Sequence, residues 1–188
     1  METDVSNANR EEPAMTKACQ KDREQLNSLL RGELAAVETY EQAIPKFEDD
    51  ATMQALTRFA SGAAQRLPES QLRDAATVQA LTRIAGDHRT SSSMLRDSIL
   101  SIGGEPDKSS GVWGSFAKTV TGAAKILGPQ TVLAALREGE EHGIVEYDKA
   151  INNAELSSDC LTMIRGDLLT LCQKHLPVLN QHIDNLKA

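Results

Sequence analysis

The stretch RGELAAVETYEQAI, residues 31–44, recurs later in the chain as EGEEHGIVEYDKAI, residues 138–151. Both read Gly-Glu, six residues, Tyr, an acidic residue, any residue, Ala-Ile. Two halves built on the same helical hairpin predict such a pattern. Counting by sevens puts Glu33 with Tyr40, and Glu140 with Tyr147, on one face of a helix.

Outward from these stretches the apolar residues keep a helical period. Helix A is predicted over 15–47, carrying Leu26, Leu29, Leu30, Val37, Ile44 and Phe47. Helix B is predicted over 51–102, interrupted at Pro68, which suits a first helical turn. Gly103-Gly104-Glu105-Pro106-Asp107 is a strong stop. Ser109 or Ser110 can cap a shorter helix bearing Trp113 and Phe116, read as a flap over the bundle. Gly128-Pro129 separates it from helix C (129–153), and Ser157 or Ser158 can cap helix D (157–187). Short A–B and C–D turns with one long B–C connection predict an all-α fold: a ferritin-like four-helix bundle with a helical crossover. Residues 1–13 are polar and aperiodic and read as a disordered tail, leaving 14–188 as one domain.

Composition agrees. Only 3% of the 188 residues are aromatic, 40% are hydrophobic, and no β-branched residues alternate in runs. The 20 Lys and Arg against 27 Asp and Glu leave a net charge of −7, which speaks against a nucleic-acid-binding surface. No apolar run approaches the ~20 residues of a membrane span, and no signal peptide opens the chain, so a cytoplasmic protein is expected. Three cysteines without a Cys-x-x-Cys pair indicate neither a disulfide framework nor a zinc knuckle. No nucleophile–base triad or Gly-rich phosphate loop is present.

A second repeat is more local. ATMQALTRFA (51–60) matches ATVQALTRIA (76–85), so residues 51–75 read as a tandem copy of 76–100. The offset is about seven helical turns, which preserves the inward face. A continuous helix B would reach about 76 Å, longer than a bundle built on helix A, and its apolar overhang predicts a homo-oligomer, a dimer exchanging this segment.

The same count by sevens gives Leu26, Glu33, Tyr40, Phe47 on A; Leu81, His88, Leu95, Ile102 on B; Leu133, Glu140, Tyr147 on C; and Leu161, Leu168, His175, His182 on D. Glu33, His88, Glu140 and His175 therefore point at the bundle axis. Buried charges are costly unless paired or bound to metal. Two carboxylates and two imidazoles suit a transition metal or zinc. Helical side chains lean toward the N-terminus, so Tyr40 is expected to donate to Glu33 and Tyr147 to Glu140. Asp87, adjacent to His88, is expected to point elsewhere, and His182 to be solvated, with Glu141 and His142 on the outer face. Cys172 is a minor candidate for a soft ligand. Helix-B geometry leaves one question open: mirrored about the A–B turn, Glu33 stands level with Ala63 rather than His88.

Gly-Glu with Tyr seven residues after the Glu, on two helices, resembles the ferritin-like superfamily, rubrerythrins in particular. His88-Arg89, Gly103-Gly104-Glu105-Pro106, Ser110-Gly111-Val112-Trp113-Gly114 and Glu138-Gly139-Glu140-Glu141-His142-Gly143 resemble a bacterial ferritin-like family of four-helix-bundle proteins of unknown function. The resemblance implies iron, zinc or manganese held by Glu33, His88, Glu140 and His175. The Glu-x-x-His pairs of di-iron relatives are missing, because Ala85 and Cys172 stand three residues before the histidines. A mononuclear or metal-free core is expected rather than an oxidase. The competing reading is a non-enzymatic interaction module whose Glu, His and Tyr residues form a structural network.

Overall fold

The structure, a computed structural model, describes residues 17–48, 57–58, 69–111 and 114–187, with backbone alone for 17, 18 and 114–127. Among these the chain is all-α. Helix α1 is Lys17–Ala43, α2 is Glu69–Ser101 and α3 is Gly114–Ile151. The fourth rod is continuous: α4 (Ser158–Met163), a π-helical turn (Ile164–Leu169) and α5 (Thr170–Asn185). The tail 1–13, Trp113, the Phe116 side chain, Ala63 and most of the first repeat copy lie outside the described residues.

Helix α1 stops earlier than its apolar period suggests. Pro45 has no N–H to donate and crowds the preceding turn, so Ile44–Lys46 tighten into a 3₁₀ turn. At the end of α2, Gly103 adopts φ 70°, the Gly103 N–H donates to the Leu100 carbonyl, and the Gly104 N–H donates to that of Ile99. That is the Schellman arrangement, which needs a glycine at the left-handed position. Arg23, Asn27 and Arg31, one turn apart on α1, hold the following loop: Arg23 Nε donates to the Ile102 carbonyl at 3.0 Å, Asn27 brackets Glu105 and Asp107, and Arg31 pairs with Asp107. The Ser110 hydroxyl donates to Glu38 on α1.

Gly128 (φ 81°) and Pro129 break α3 into two helical pieces, as the Gly-Pro pair predicts. Ser157 caps α4 by accepting the Cys160 N–H, and its own N–H donates to the buried carboxylate of Asp22. In the fourth rod the buried residues Cys160, Ile164, Leu168 and Cys172 are spaced by four. In a regular α-helix that stripe drifts by about 120° across twelve residues. The π turn absorbs one extra residue, about 100° of rotation, and returns Cys172 and His175 to the inner face.

The four rods pack as a bundle whose neighbours run antiparallel. Residues 23 and 33 of α1 meet 102 and 88 around α2. Residues 33 and 40 of α1 meet 147 and 140 of α3. Residues 73, 77 and 87 of α2 meet 185, 182 and 175 of the fourth rod. Two apolar clusters result. One gathers Leu26, Leu30, Leu95, Ile99, Ile164 and Leu168; the other gathers Phe47, Leu81, Ile84, Leu133, Leu136 and Leu179. Full burial of each such side chain is worth roughly 1.5–3 kcal/mol. Between them lies a polar layer to which each rod contributes one residue: Glu33, His88, Glu140 and His175, all 5% exposed or less.

Candidate metal centre

His88 stands level with Glu33: its Nδ1 is 2.8 Å from Glu33 Oε2. Helix α2 begins at Glu69, so the second repeat copy occupies the bundle, and the alternative in which Ala63 takes this position does not hold. The other ring nitrogen of His88 lies 2.9 Å from Glu140 Oε1. His175 Nδ1 lies 2.9 Å from Glu140 Oε2. One ligand atom each from His88, Glu140 and His175, all three buried, fall within 4.8 Å of one another. Glu33, expected with them, meets His88 on the far side of the imidazole ring.

The tyrosines cross over. Tyr40 donates to Glu140 at 2.6 Å and Tyr147 to Glu33 at 2.5 Å, each reaching the carboxylate of the opposite helix instead of its own. The leaning of side chains toward the N-terminus is overruled by antiparallel register, which sets Tyr40 beside Glu140 and Tyr147 beside Glu33. Asp87 also departs from expectation: its Oδ2 lies 3.3 Å from His175 Nε2. Neighbouring positions on a helix differ by about 100°, so His88 faces the axis while Asp87 faces the adjacent fourth rod. His182 is half-buried and its Nδ1 lies 3.0 Å from Thr77 Oγ1; loss of hydration lowers its pKa. Glu141 and His142 are exposed, as expected.

Electrostatics follow from these contacts. Burial would lower the His88 pKa, but the Glu33 and Glu140 carboxylates outweigh it and push it up to about 10. At neutral pH both His88 N–H groups donate. Burial would raise Glu140, yet His88 and His175 hold it well below the usual carboxylate range. The hydroxyls of Tyr40 and Tyr147 are pushed up by burial and by the carboxylates they meet. Cys172 Sγ sits 3.2 Å from Glu140 Oε2, its pKa raised strongly by burial and then by Glu140 and Glu33. Glu140 thus receives Tyr40 and His88 on one oxygen and His175 and Cys172 on the other, filling its four lone-pair sites.

The donor set suits a divalent transition metal. Imidazole nitrogens are borderline donors that suit zinc or iron and a carboxylate is a hard one that suits manganese, and two buried carboxylates supply the charge that such an ion balances. A cavity of about 480 Å³ between α1 and α3 reaches the layer at Glu33, Tyr40, His88, Glu140, Tyr147 and Cys172. Asp87 and the π turn are the features that the sequence count missed. The stride of four from Cys160 to Cys172 is the signal that marks the turn.

Residues 62–153 match a family described only as a domain of unknown function (DUF2383). The match includes His88, Asp87, Glu140 and Tyr147 and leaves Glu33, Tyr40, Cys172 and His175 outside it. No curated protein and no solved structure matches the chain. Among the described residues no helix is long and apolar enough to cross a membrane.

Proposed function

We propose that this chain is a ferritin-like bundle whose polar layer binds one divalent transition-metal ion, iron, zinc or manganese, through His88, Glu140 and His175. One observation carries the reading. Each histidine turns one nitrogen toward Glu140 and the other toward a second carboxylate, Glu33 for His88 and Asp87 for His175. Metal-ligating imidazoles are oriented in this way, with the outer carboxylate fixing the tautomer and raising ligand basicity. Glu33 and Asp87 then hold the ligands, Tyr40 and Tyr147 hold the two glutamates, and apolar clusters pack above and below the layer. A bound ion would supply Lewis acidity or, if iron or manganese, one-electron chemistry. Antiparallel neighbours, with Glu on α1 and α3 and His on α2 and the fourth rod, support the ferritin-like reading.

A second reading, a metal-free structural network within a helical interaction module, is favoured by the saturation of Glu140. In that case the proton on His88 does the work of the cation. Anaerobic loading with iron(II), zinc or manganese(II), followed by elemental analysis, separates the two. Wild type is expected to retain one ion per chain and Glu140→Ala none. Equal, negligible metal in both overturns the metal reading and leaves the structural network.

A further inference from the structure

We propose that the cavity between α1 and α3 binds a small organic ammonium ion, its cationic head on the Glu33 carboxylate and its apolar body along the helix faces around Gly32. The proposal goes beyond the metal-binding reading and does not rest on it. Glu33 stands outside the trio His88, Glu140 and His175, and His175 does not line the cavity.

The volume of about 480 Å³ falls within the roughly 300–1,000 Å³ of small-molecule sites. Glu138 and His142, exposed on α3, lie at its outer end, and buried Glu33, Tyr40, His88 and Glu140 at its inner end. Leu29, Ala35, Ala36 and Leu136 give it apolar walls. A Cβ on Gly32 would meet nothing within 4 Å, so the α1 wall is open there.

Hydrogen-bond accounting at the inner end selects the ligand. Each Glu140 oxygen takes two donors, Tyr40 and His88 on one, His175 and Cys172 on the other. Among the described residues each Glu33 oxygen takes one, Tyr147 on Oε1 and His88 on Oε2. A carboxylate oxygen accepts two, so Glu33 keeps half its capacity although it is only 5% exposed. The donors beside it are spent. His88 turns both ring nitrogens to carboxylates, and Tyr40 and Tyr147 commit their hydroxyl hydrogens to the same two groups. What remains is acceptor capacity, so a ligand must bring the hydrogens. Charge points the same way: Glu33, Glu138, Glu140 and Glu146 line the cavity, and among the described residues no lysine or arginine does, although Lys149 pairs with Glu146 from beside it. An ammonium head carries three N–H donors and a positive charge. A carboxylate or phosphate head would add acceptors and negative charge to a buried acidic site. A neutral alcohol offers one donor without the charge, and charge-assisted hydrogen bonds are roughly twice as strong as neutral ones.

Probes that share an aromatic body and differ in their head groups test this: phenethylammonium, phenethyl alcohol and phenylpropanoate, titrated by calorimetry into the full-length protein as purified. Phenethylammonium is expected to bind at one per chain, about tenfold or more tighter than the alcohol, with the carboxylate weakest. Glu33→Gln is expected to abolish the preference for amine over alcohol. Gly32→Leu, which fills the cavity and leaves Glu33 in place, is expected to weaken amine and alcohol alike by about tenfold or more. In wild type, equal affinity for the three heads or no binding of the amine overturns the proposal, whether or not the variants fold. An amine preference that survives Glu33→Gln, or an amine affinity unchanged in folded Gly32→Leu, overturns it as well. Elemental analysis judges the metal site separately, so neither result decides the other.

Discussion

Tyr147 and Glu33, on different helices, are joined by a hydrogen bond of 2.5 Å, and the pair has a mirror image in Tyr40 and Glu140. The duplicated sequence motif is thus closed upon itself across the bundle, each copy supplying the hydroxyl that the other copy's carboxylate needs.

This crossing is testable by double-mutant cycles. Tyr40→Phe and Tyr147→Phe each leave a buried carboxylate oxygen short of a donor, an expected loss of roughly 1–3 kcal/mol in chemical denaturation. Tyr40→Phe should couple more strongly with Glu140→Gln, its direct partner, than with Glu33→Gln, which it reaches only through Glu140 and His88. The opposite pattern would show that each tyrosine serves the glutamate of its own helix.

The outer carboxylates give a graded effect on metal retention. Glu33→Gln and Asp87→Asn are expected to weaken binding by roughly 10- to 100-fold, since they orient histidines without touching the ion. Glu140→Ala is expected to remove it altogether. Competitive titration with a chelator measures the difference, and an unchanged affinity in both outer variants would detach Glu33 and Asp87 from this role.

Metal-free protein should lose stability at alkaline pH. The folded protein raises the His88 pKa to about 10, above the ~6.5 of an unfolded chain. A raised value means that the folded state favours the proton. The contribution is complete below about pH 6.5 and disappears as pH rises through about 10. The stability gap between wild type and His88→Gln should shrink over that interval, as followed by urea denaturation at a series of pH values. A gap that widens toward high pH would mean that His88 is neutral in the fold.

Two glycines should respond in opposite directions. Gly104→Ala places a Cβ 2.7 Å from Ile99 Cγ2 and 3.0 Å from Arg23 Cγ, an overpacked contact expected to cost about 1–3 kcal/mol. Gly32→Ala meets nothing within 4 Å in the middle of α1 and should stabilise by roughly 0.5–1 kcal/mol. Thermal unfolding of the two variants checks the pair.

The bundle itself was legible because each rod repeats apolar residues on a helical period and is punctuated by Gly-Gly, Gly-Pro or a capping serine. The four polar residues of the central layer were legible for the same reason: a lone ionisable group interrupts each apolar seam. What periodicity on a single helix cannot supply is the register between helices. That register decided which glutamate each tyrosine meets, brought Asp87 to His175, and put Glu33 on the far ring edge of His88. The π turn escaped because a uniform 3.6-residue helix was assumed where Cys160, Ile164, Leu168 and Cys172 step by four.

The central layer also fixes alignment. Above and below it the interior is oil, mostly leucine and isoleucine, and oil tolerates sliding. If one rod slips by a turn, an ionised side chain moves into that oil and its former partner is left bare, a double desolvation cost that no other alignment recovers. A chain that carries the same Gly-Glu…Tyr motif on two helices is thereby held to one register, whether an ion or a proton sits at its centre.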